Sequence, residues 1–242
     1  MAFYGIIPAR YASTRFPGKP LALIHGKPMI QWVYERSRAS DLARVVVATD
    51  DQRIMDAVRN FGGEAVMTSP HHQSGTERCA EVADMLQLNH EDVVVNIQGD
   101  EPYIRSEAIN LLTSCFQDKS VRIATLAKAF LPEENPENPN MVKVTFSASG
   151  RALTFSRSPI PYYRNTAVEH RYYKHTGIYA YRYRILREIV KLPLSSLENA
   201  EKLEQLRWLE NDYTIHVEPC DYESVAIDTP EDLVRAEQIT EF

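Results

Sequence analysis

A loop near the start of the sequence carries three cations and no carboxylate, although the whole chain has a formal net charge of −6. The three cations are Arg10, Arg15 and Lys19. Arginine forms forked, bidentate bonds to phosphate oxygens, and lysine provides a compact charge. Gly18 lets the backbone approach an oxygen closely, while Pro17 and Pro20 stiffen the loop. These residue types predict a polyphosphate-binding loop; the alternative is a solvated loop that happens to be basic.

Two acidic residues, far apart in the sequence, each follow a predicted buried strand. Asp100 comes just past "VVVNIQ", and Asp228 comes just past "SVAI". Ligands of open α/β sheets bind outside the carboxyl ends of the strands, so both residues should face the crevice of the basic loop. Mg²⁺ binds one or two protein carboxylates together with waters and phosphate oxygens. The pair therefore predicts a Mg²⁺ site; the alternatives are a turn former at Asp100 and a residue packed beside a helix cap at Asp228.

The elements that must position these residues alternate in type over the first half of the chain. Apolar, β-branched runs predict buried strands, and apolar residues three and four positions apart predict helices. This alternation indicates a parallel sheet with right-handed crossovers. The predicted strands are 3–8, 43–51, 64–69 and 91–102, and the predicted helices are 27–40, 51–63, 75–86 and 105–116.

The pattern changes after about residue 120. Residues 142–161 alternate apolar and polar around Ser149 and Gly150, which predicts an antiparallel hairpin. Strands are also predicted at 176–182 and 213–220, a helix at 197–211, and at 223–239 a strand followed by a helix capped by Thr229. The predicted fold class is α/β: a mainly parallel sheet flanked by helices, with a smaller hairpin-containing antiparallel subdomain.

Composition excludes several classes of function. No stretch of about 18 apolar residues occurs and the first residues lack a signal-peptide pattern, so we expect no membrane insertion. The acidic net charge argues against broad nucleic-acid binding. Cys79, Cys115 and Cys220 lack metal-ligand spacing and are interpreted as reduced thiols of a cytoplasmic protein.

Short segments of the chain resemble those of the 3-deoxy-manno-octulosonate cytidylyltransferases (CMP-Kdo synthetases), in the same order, over residues 2–236. These segments are "PARYASTRFPGKPL", "GKPM", "VATDD", "HQSGTERCAE", "VNIQGDEP", "FSRSPIP", "HTGIYAYR", "LEQLR" and "DTPEDL". The first is shared loosely with sialic acid cytidylyltransferases, whereas the set with "SGTER", "QGDEP" and "FSRSPIP" is far more specific.

The resemblance implies a Rossmann-like nucleotidyltransferase fold, a homodimer and Mg²⁺-dependent activation of the eight-carbon acid sugar Kdo by CTP, for lipopolysaccharide synthesis. The anomeric 2-hydroxyl of Kdo would displace pyrophosphate directly from the α-phosphorus. Within a single domain, 1–242, residues 1–130 and 212–242 would bind CTP and Mg²⁺, and 131–211 would bind sugar and form the dimer. One or two Mg²⁺ ions are compatible with this scheme.

The resemblance also assigns individual roles. The triphosphate loop matches at Arg10, Arg15 and Lys19. The segment facing cytosine and ribose matches at Ser74, Gly75 and Arg78. The metal ligands match at Asp100 and Asp228, which with Arg10 and Lys19 form the expected catalytic set. The sugar pocket matches at Gln98, Arg157, His175, Tyr179, Glu204 and Gln205.

Some alternatives stay open. Tyr179 could be a core aromatic, His175 a packed residue and Glu204 a solvated helix charge. Many family members have leucine where this chain has Thr176, and some relatives use the 8-amino analogue of Kdo, so the particular octulosonate is undecided. A sialate cytidylyltransferase and a non-catalytic nucleotide-binding regulator are the rival functions; the latter requires losses at the metal or phosphate positions, and none is seen.

Overall fold

The computed structural model describes residues 1–12, 16–165 and 167–239. Its strands are β1 (Phe3–Ala9), β2 (Leu23–Ile24), β3 (Lys27–Pro28), β4 (Arg44–Thr49), β5 (Ala65–Met67), β6 (Val93–Asn96), β7 (Ile123–Ala129), β8 (Lys143–Phe146), β9 (Ala152–Ser156), β10 (Tyr173–Arg182) and β11 (Ile215–Pro219). Its helices are α1 (Met29–Arg38), α2 (Gln52–Asn60), α3 (Gly75–Met85), α4 (Ser106–Ser114), α5 (Tyr183–Ile189), α6 (Ser196–Glu201), α7 (Glu204–Glu210) and α8 (Pro230–Ala236). None of these described helices has the length and apolar character needed to cross a membrane.

The central sheet has the strand order β11-β7-β10-β6-β1-β4-β5. β1 pairs in parallel with β4 and β6, β4 with β5, and β7 with β11. β10 runs antiparallel between β6 and β7, and the hairpin of β8 and β9 joins β10 at Lys174. The predicted fold class, a mainly parallel sheet with helices and a smaller antiparallel part, is confirmed.

Two apolar layers cover the sheet. Successive strand residues point to opposite faces, so Ile6 packs in one layer and Ile7 in the other. The first layer is closed by α3, α5 and α7, and the second by α1, α2 and α4. Full burial of each such aliphatic side chain contributes about 1.5–3 kcal/mol to the stability of the fold. The packed sheet therefore holds the residues at its strand ends in fixed positions.

A third, smaller cluster holds the end of the chain against the basic-loop side of the sheet. Ile24, Met29, Tyr103, Ile227 and Ala236 form its buried part. The Tyr103 hydroxyl donates a hydrogen bond to the Ala236 carbonyl oxygen over 2.6 Å. This cluster brings α8, and the residues just before it, next to the loop that follows β6.

Three sequence predictions differ from the structure. β7 was not predicted; its alanines and lysine favour helix as readily as strand. The predicted helix 197–211 is two helices, α6 and α7, because Lys202 has left-handed backbone geometry with φ of 54°. The predicted strand within 223–228 is wrong: this segment joins no sheet, and its polar groups instead bond to the loop after β6.

Candidate active site

The basic loop turns back on itself directly after β1. Gly18 has a φ of 74°, which favours glycine, and its N–H donates to the Tyr11 carbonyl oxygen over 2.9 Å. A short 3₁₀ turn, Lys19–Leu21, follows and contains Pro20. Arg15 lies outside the described residues, so its predicted role stays a prediction.

Lys19 lies between the two predicted metal ligands. Its Nζ is 2.6 Å from Asp100 Oδ2 and 3.2 Å from Asp228 Oδ1. The lysine side chain is only 13% exposed, whereas the Asp228 side chain is 39% exposed. Three distant parts of the sequence therefore meet at one charged cluster at the carboxyl edge of the sheet.

The backbone fixes both acidic residues. A Cβ on Gly99 would lie 2.7 Å from the Pro8 carbonyl oxygen, so only glycine lets the loop after β6 approach β1 this closely. The Ile227 N–H donates to the Asp100 carbonyl oxygen over 2.9 Å, which joins the two loops. Asp228 itself donates its N–H to Asp232 Oδ2 over 3.0 Å, as part of the capped start of α8.

The two carboxylates fit a divalent cation. One oxygen of Asp100 and one oxygen of Asp228 accept hydrogen bonds from the Lys19 ammonium. Both carboxylates can therefore face a single cation. Carboxylate oxygens are the protein ligands that Mg²⁺ prefers. Asp100 and Asp228 are therefore suitable Mg²⁺ ligands, provided that Lys19 yields its contacts.

A cavity of about 410 Å³ opens beside this cluster. Its lining includes Arg10, Lys19, Gly75, Arg78, Gln98 and Asp100. The amino end of α3 lies at its wall, because Gly75 is the first residue of that helix. Helix amino ends carry partial positive charge and unpaired N–H groups, so this wall suits an anion.

Asp50 organises the two arginines of this cavity. The buried Arg78 donates from Nη2 to Asp50 Oδ2 over 2.9 Å, and from Nη1 to the Thr68 hydroxyl. Arg10 Nε lies 4.0 Å from the same Asp50 oxygen, and its side chain is 46% exposed. Sequence reasoning missed Asp50, although it follows β4 at the same sheet edge and the strand-end rule applied to Asp100 would have found it.

Ser74 has a structural role in the described chain. Its hydroxyl accepts the Glu77 N–H over 3.2 Å, which makes it the N-cap of α3. The adjoining Gly75 packs against β1, where a Cβ would lie 3.1 Å from the Pro8 ring. Both residues thus place the amino end of α3 at the cavity; their predicted contact with a nucleotide stays a prediction.

A second cavity, of about 490 Å³, adjoins the first and shares Gly75, Gln98 and Asp100 with it. Four of the predicted sugar-pocket residues also line it: His175, Tyr179, Glu204 and Gln205. Gln98 Nε2 donates to the Gly177 carbonyl oxygen over 3.2 Å, at a register shift in β10. The two cavities therefore meet at Gln98 and Asp100.

Aromatic packing holds the β10 side of this second cavity. Tyr179 stacks on Tyr181 at 5.9 Å between centroids and meets the edge of Trp208 at 5.1 Å. His175 Nε2 is 3.0 Å from the Thr125 hydroxyl, and burial lowers the pKa of His175 to about 3. Tyr179 therefore packs in the core, His175 packs against the rings of Phe155 and Tyr179, and both residues line the cavity.

Glu204 and Gln205 supply the opposite, polar wall. Glu204 Oε2 accepts a hydrogen bond from the Thr76 hydroxyl over 2.6 Å, and burial raises the pKa of this carboxyl group. Gln205 is buried and lines the same cavity. Glu204 is therefore not a solvated helix charge, because it faces the cavity from the start of α7.

Arg157 lines neither cavity. Its Nε donates to the Glu201 carbonyl oxygen over 2.7 Å, and its Nη1 to the Pro139 carbonyl oxygen over 2.8 Å. A different cation, Lys174, lines the second cavity and is buried, in ion pairs with Glu134 and with Glu223. The burial of Lys174 depends on the pairing of β10, which local sequence patterns do not reveal.

Fold and site together define a nucleotidyltransferase: a mainly parallel α/β sheet with cations, carboxylates and a helix amino end suited to an anion at its carboxyl edge. A family model described as cytidylyltransferase matches residues 4–215. A 3-deoxy-manno-octulosonate cytidylyltransferase of Phocaeicola vulgatus is 55% identical over 98% of this chain and 96% of its own. A relative of the same name in Bacteroides thetaiotaomicron is 54% identical over 98% of both chains. The chain belongs to the 3-deoxy-manno-octulosonate cytidylyltransferase family.

One solved structure agrees with this assignment, and a second shares the fold. A CMP:2-keto-3-deoxy-manno-octonic acid synthetase complexed with CTP is 44% identical, with a TM-score of 0.92 over 98% of both chains. A cytidylyltransferase from Leptospira borgpetersenii is 17% identical, with a TM-score of 0.62 over 96% of this chain and 83% of its own. The second similarity is one of fold alone.

Proposed function

We propose that the protein is a Mg²⁺-dependent enzyme that transfers CMP from CTP to Kdo and releases pyrophosphate. The observation that supports this most directly is the Lys19 ammonium between Asp100 and Asp228, at the junction of two cavities that share Asp100. A triphosphate in one cavity and an acid sugar in the other would meet beside this cluster. The names of the relatives, and CTP in the 44% identical structure, point to the same substrates.

The triphosphate is assigned to the smaller cavity. Arg10 is exposed enough to turn from Asp50 towards phosphate oxygens, and the amino end of α3 adds its N–H groups. Arg78 is buried and held by Asp50, so it shapes the wall and supplies fixed positive charge. The cavity is therefore electrostatically prepared for an anion before the anion binds.

Asp100 and Asp228 would hold Mg²⁺. A bound Mg²⁺ supplies Lewis acidity and neutralises phosphate charge. Lys19 can then turn its ammonium from the carboxylates to the oxygens of the leaving pyrophosphate. The lysine would thus offset part of the charge of two neighbouring carboxylates in the resting protein and stabilise developing charge during the reaction.

The sugar is assigned to the larger cavity. Its hydroxyl groups match the hydrogen-bonding groups of Gln98, Glu204 and Gln205, and its carboxylate matches Lys174. The anomeric hydroxyl oxygen forms a bond to the α-phosphorus and releases its proton to solvent, and the bond from that phosphorus to the bridging oxygen of pyrophosphate breaks. Positioning and charge neutralisation supply the catalysis, and no covalent protein intermediate is needed.

A pyrophosphate-release assay with CTP and Mg²⁺ tests the proposal. Kdo, its 8-amino analogue, sialic acid and no sugar form the panel. We expect release with Kdo and none without sugar, and the analogue decides which octulosonate is preferred. Binding of CTP without release for any sugar would contradict the proposal and identify a non-catalytic regulator.

The assembly and the cellular role are parts of the same proposal. We expect a cytoplasmic homodimer that serves lipopolysaccharide synthesis, with its contact supplied by residues within 131–211. Light scattering at micromolar concentration would contradict the dimer if it detected only the mass of one chain.

A further inference from the structure

A buried carboxylate beside the metal ligands has no part in the reaction proposed above. Glu101 follows Asp100 directly and is only 4% exposed. Its Oε1 accepts a hydrogen bond from the Ser224 hydroxyl over 2.7 Å, and its Oε2 accepts one from the Tyr222 hydroxyl over 3.1 Å. A buried carboxylate is costly unless it is well bonded, so both contacts must be strong enough to hold it there.

Both partners of Glu101 belong to the segment that carries Asp228. This segment runs from the end of β11 to α8 and is not a strand of any sheet, although its Glu223 forms ion pairs with Lys128 of β7 and Lys174 of β10. Besides the two side-chain bonds, the Ile227 N–H bonds to the Asp100 carbonyl oxygen over 2.9 Å. The loop after β6 thus holds this segment at three points, and Glu101 supplies two of them.

We infer that Glu101 is a positioning residue: it fixes the segment of Asp228 against the loop of Asp100 so that both carboxylates face one cation. The inference rests on the proposed function, because it concerns the Mg²⁺ site. Asp228 is four residues beyond Ser224, and four residues can span about 13 Å when extended. Mg²⁺ requires its oxygens at about 2.0–2.1 Å in near-ideal geometry, so a loosely held segment would bind it poorly.

Binding of Mn²⁺ alone, followed by electron paramagnetic resonance, tests this role without turnover. We expect Glu101→Ala to weaken Mn²⁺ binding by about tenfold or more, because loss of the groups that orient metal ligands commonly lowers metal affinity by this amount. The double variant Tyr222→Phe/Ser224→Ala removes the same bonds from the other side and should weaken binding similarly. Glu101→Gln keeps an acceptor and a donor for the two hydroxyls and should stay within about threefold of wild type.

Two controls separate this inference from the proposed function. Asp228→Asn should weaken Mn²⁺ binding strongly; unchanged binding in that variant would contradict the metal site itself. Glu107→Ala, on the exposed side of α4, should bind Mn²⁺ like wild type. If Asp228→Asn loses Mn²⁺ while Glu101→Ala and the double variant keep it, the metal site stands and the positioning role is wrong.

The conservative variant distinguishes positioning from charge. If Glu101→Gln lost as much affinity as Glu101→Ala, the carboxylate would act by its negative charge, and the positioning role would be overturned. In turnover assays with saturating CTP, higher Mg²⁺ should restore the activity of Glu101→Ala, which a general folding defect would not allow. If Glu101→Ala does not fold, judged by circular dichroism, the double variant carries the same test.

Discussion

The two cavities of this protein are built in different ways. On the nucleotide side, charged groups stand on loops at strand ends and bond to each other, as Lys19 does with Asp100 and Asp228. On the sugar side, His175 and Tyr179 are set into the aromatic core of the sheet, beside Trp208. The first side is held by electrostatics and can rearrange around a ligand; the second is held by packing and is preformed.

This difference predicts that the largest effects come from the acidic pair. Asp100→Asn and Asp228→Asn should each lower kcat by about 10²–10³, the usual cost of removing one electrostatic partner of a transition state. CTP should still bind through Arg10 and Lys19. The double variant should be little worse than either single one, because groups acting as a unit are not additive. Losses that multiply in the double variant would show that the two carboxylates do not share a metal.

Substitutions in the basic loop should have the next largest effect on activity. Arg10→Ala and Lys19→Ala should each lower kcat/KM by about 10² while the fold stays intact, because each removes a cation from the triphosphate site. Lys119→Ala, an exposed lysine before β7, is the matched control and should turn over like wild type. Steady-state kinetics with pyrophosphate detection measures both. Near-wild-type turnover of Lys19→Ala would contradict the role of this residue in binding the triphosphate.

A change on the sugar side should affect only one substrate. Gln205→Ala removes a buried polar side chain of the larger cavity, so the KM for sugar should rise by about tenfold. The KM for CTP should change little, because Gln205 does not line the smaller cavity. An equal rise of both KM values would contradict the separation of the two sides.

The smallest predicted effect is on stability. Burial lowers the pKa of His175 to about 3 in the folded protein, whereas an unfolded histidine titrates near 6.5. Between these values the unfolded chain binds more protons, so stability falls as the pH drops below about 6.5, by about 1 kcal/mol at pH 5.5. In urea unfolding at pH 7.5 and 5.5, His175→Gln should lose less stability than wild type. The exposed His71→Gln should behave like wild type, and identical losses in all three would contradict this prediction.

Sequence reasoning reached the two sides unequally. Lys19 and Asp100 could be predicted because a loop or turn at the end of a buried strand is a local feature. Asp228 was predicted from a strand that does not exist; hydrogen bonds to Glu101 and Asp100 hold its segment, and these join residues more than 100 positions apart. The roles of His175 and Tyr179 came only from the family resemblance. The burial of Lys174 follows from the pairing of β10, which no local periodicity encodes.

The central position of β10 constrains how the chain can fold during synthesis. β6 and β7 are neighbours in sequence but not in space, because β10 separates them. The central part of the sheet therefore cannot be completed until the ribosome has released Arg182, the last residue of β10, more than 50 residues after β7. Until then both strands expose unpaired edges, and such edges recruit other chains. A chain that ends near residue 130 should therefore aggregate, although it contains the whole basic loop and Asp100.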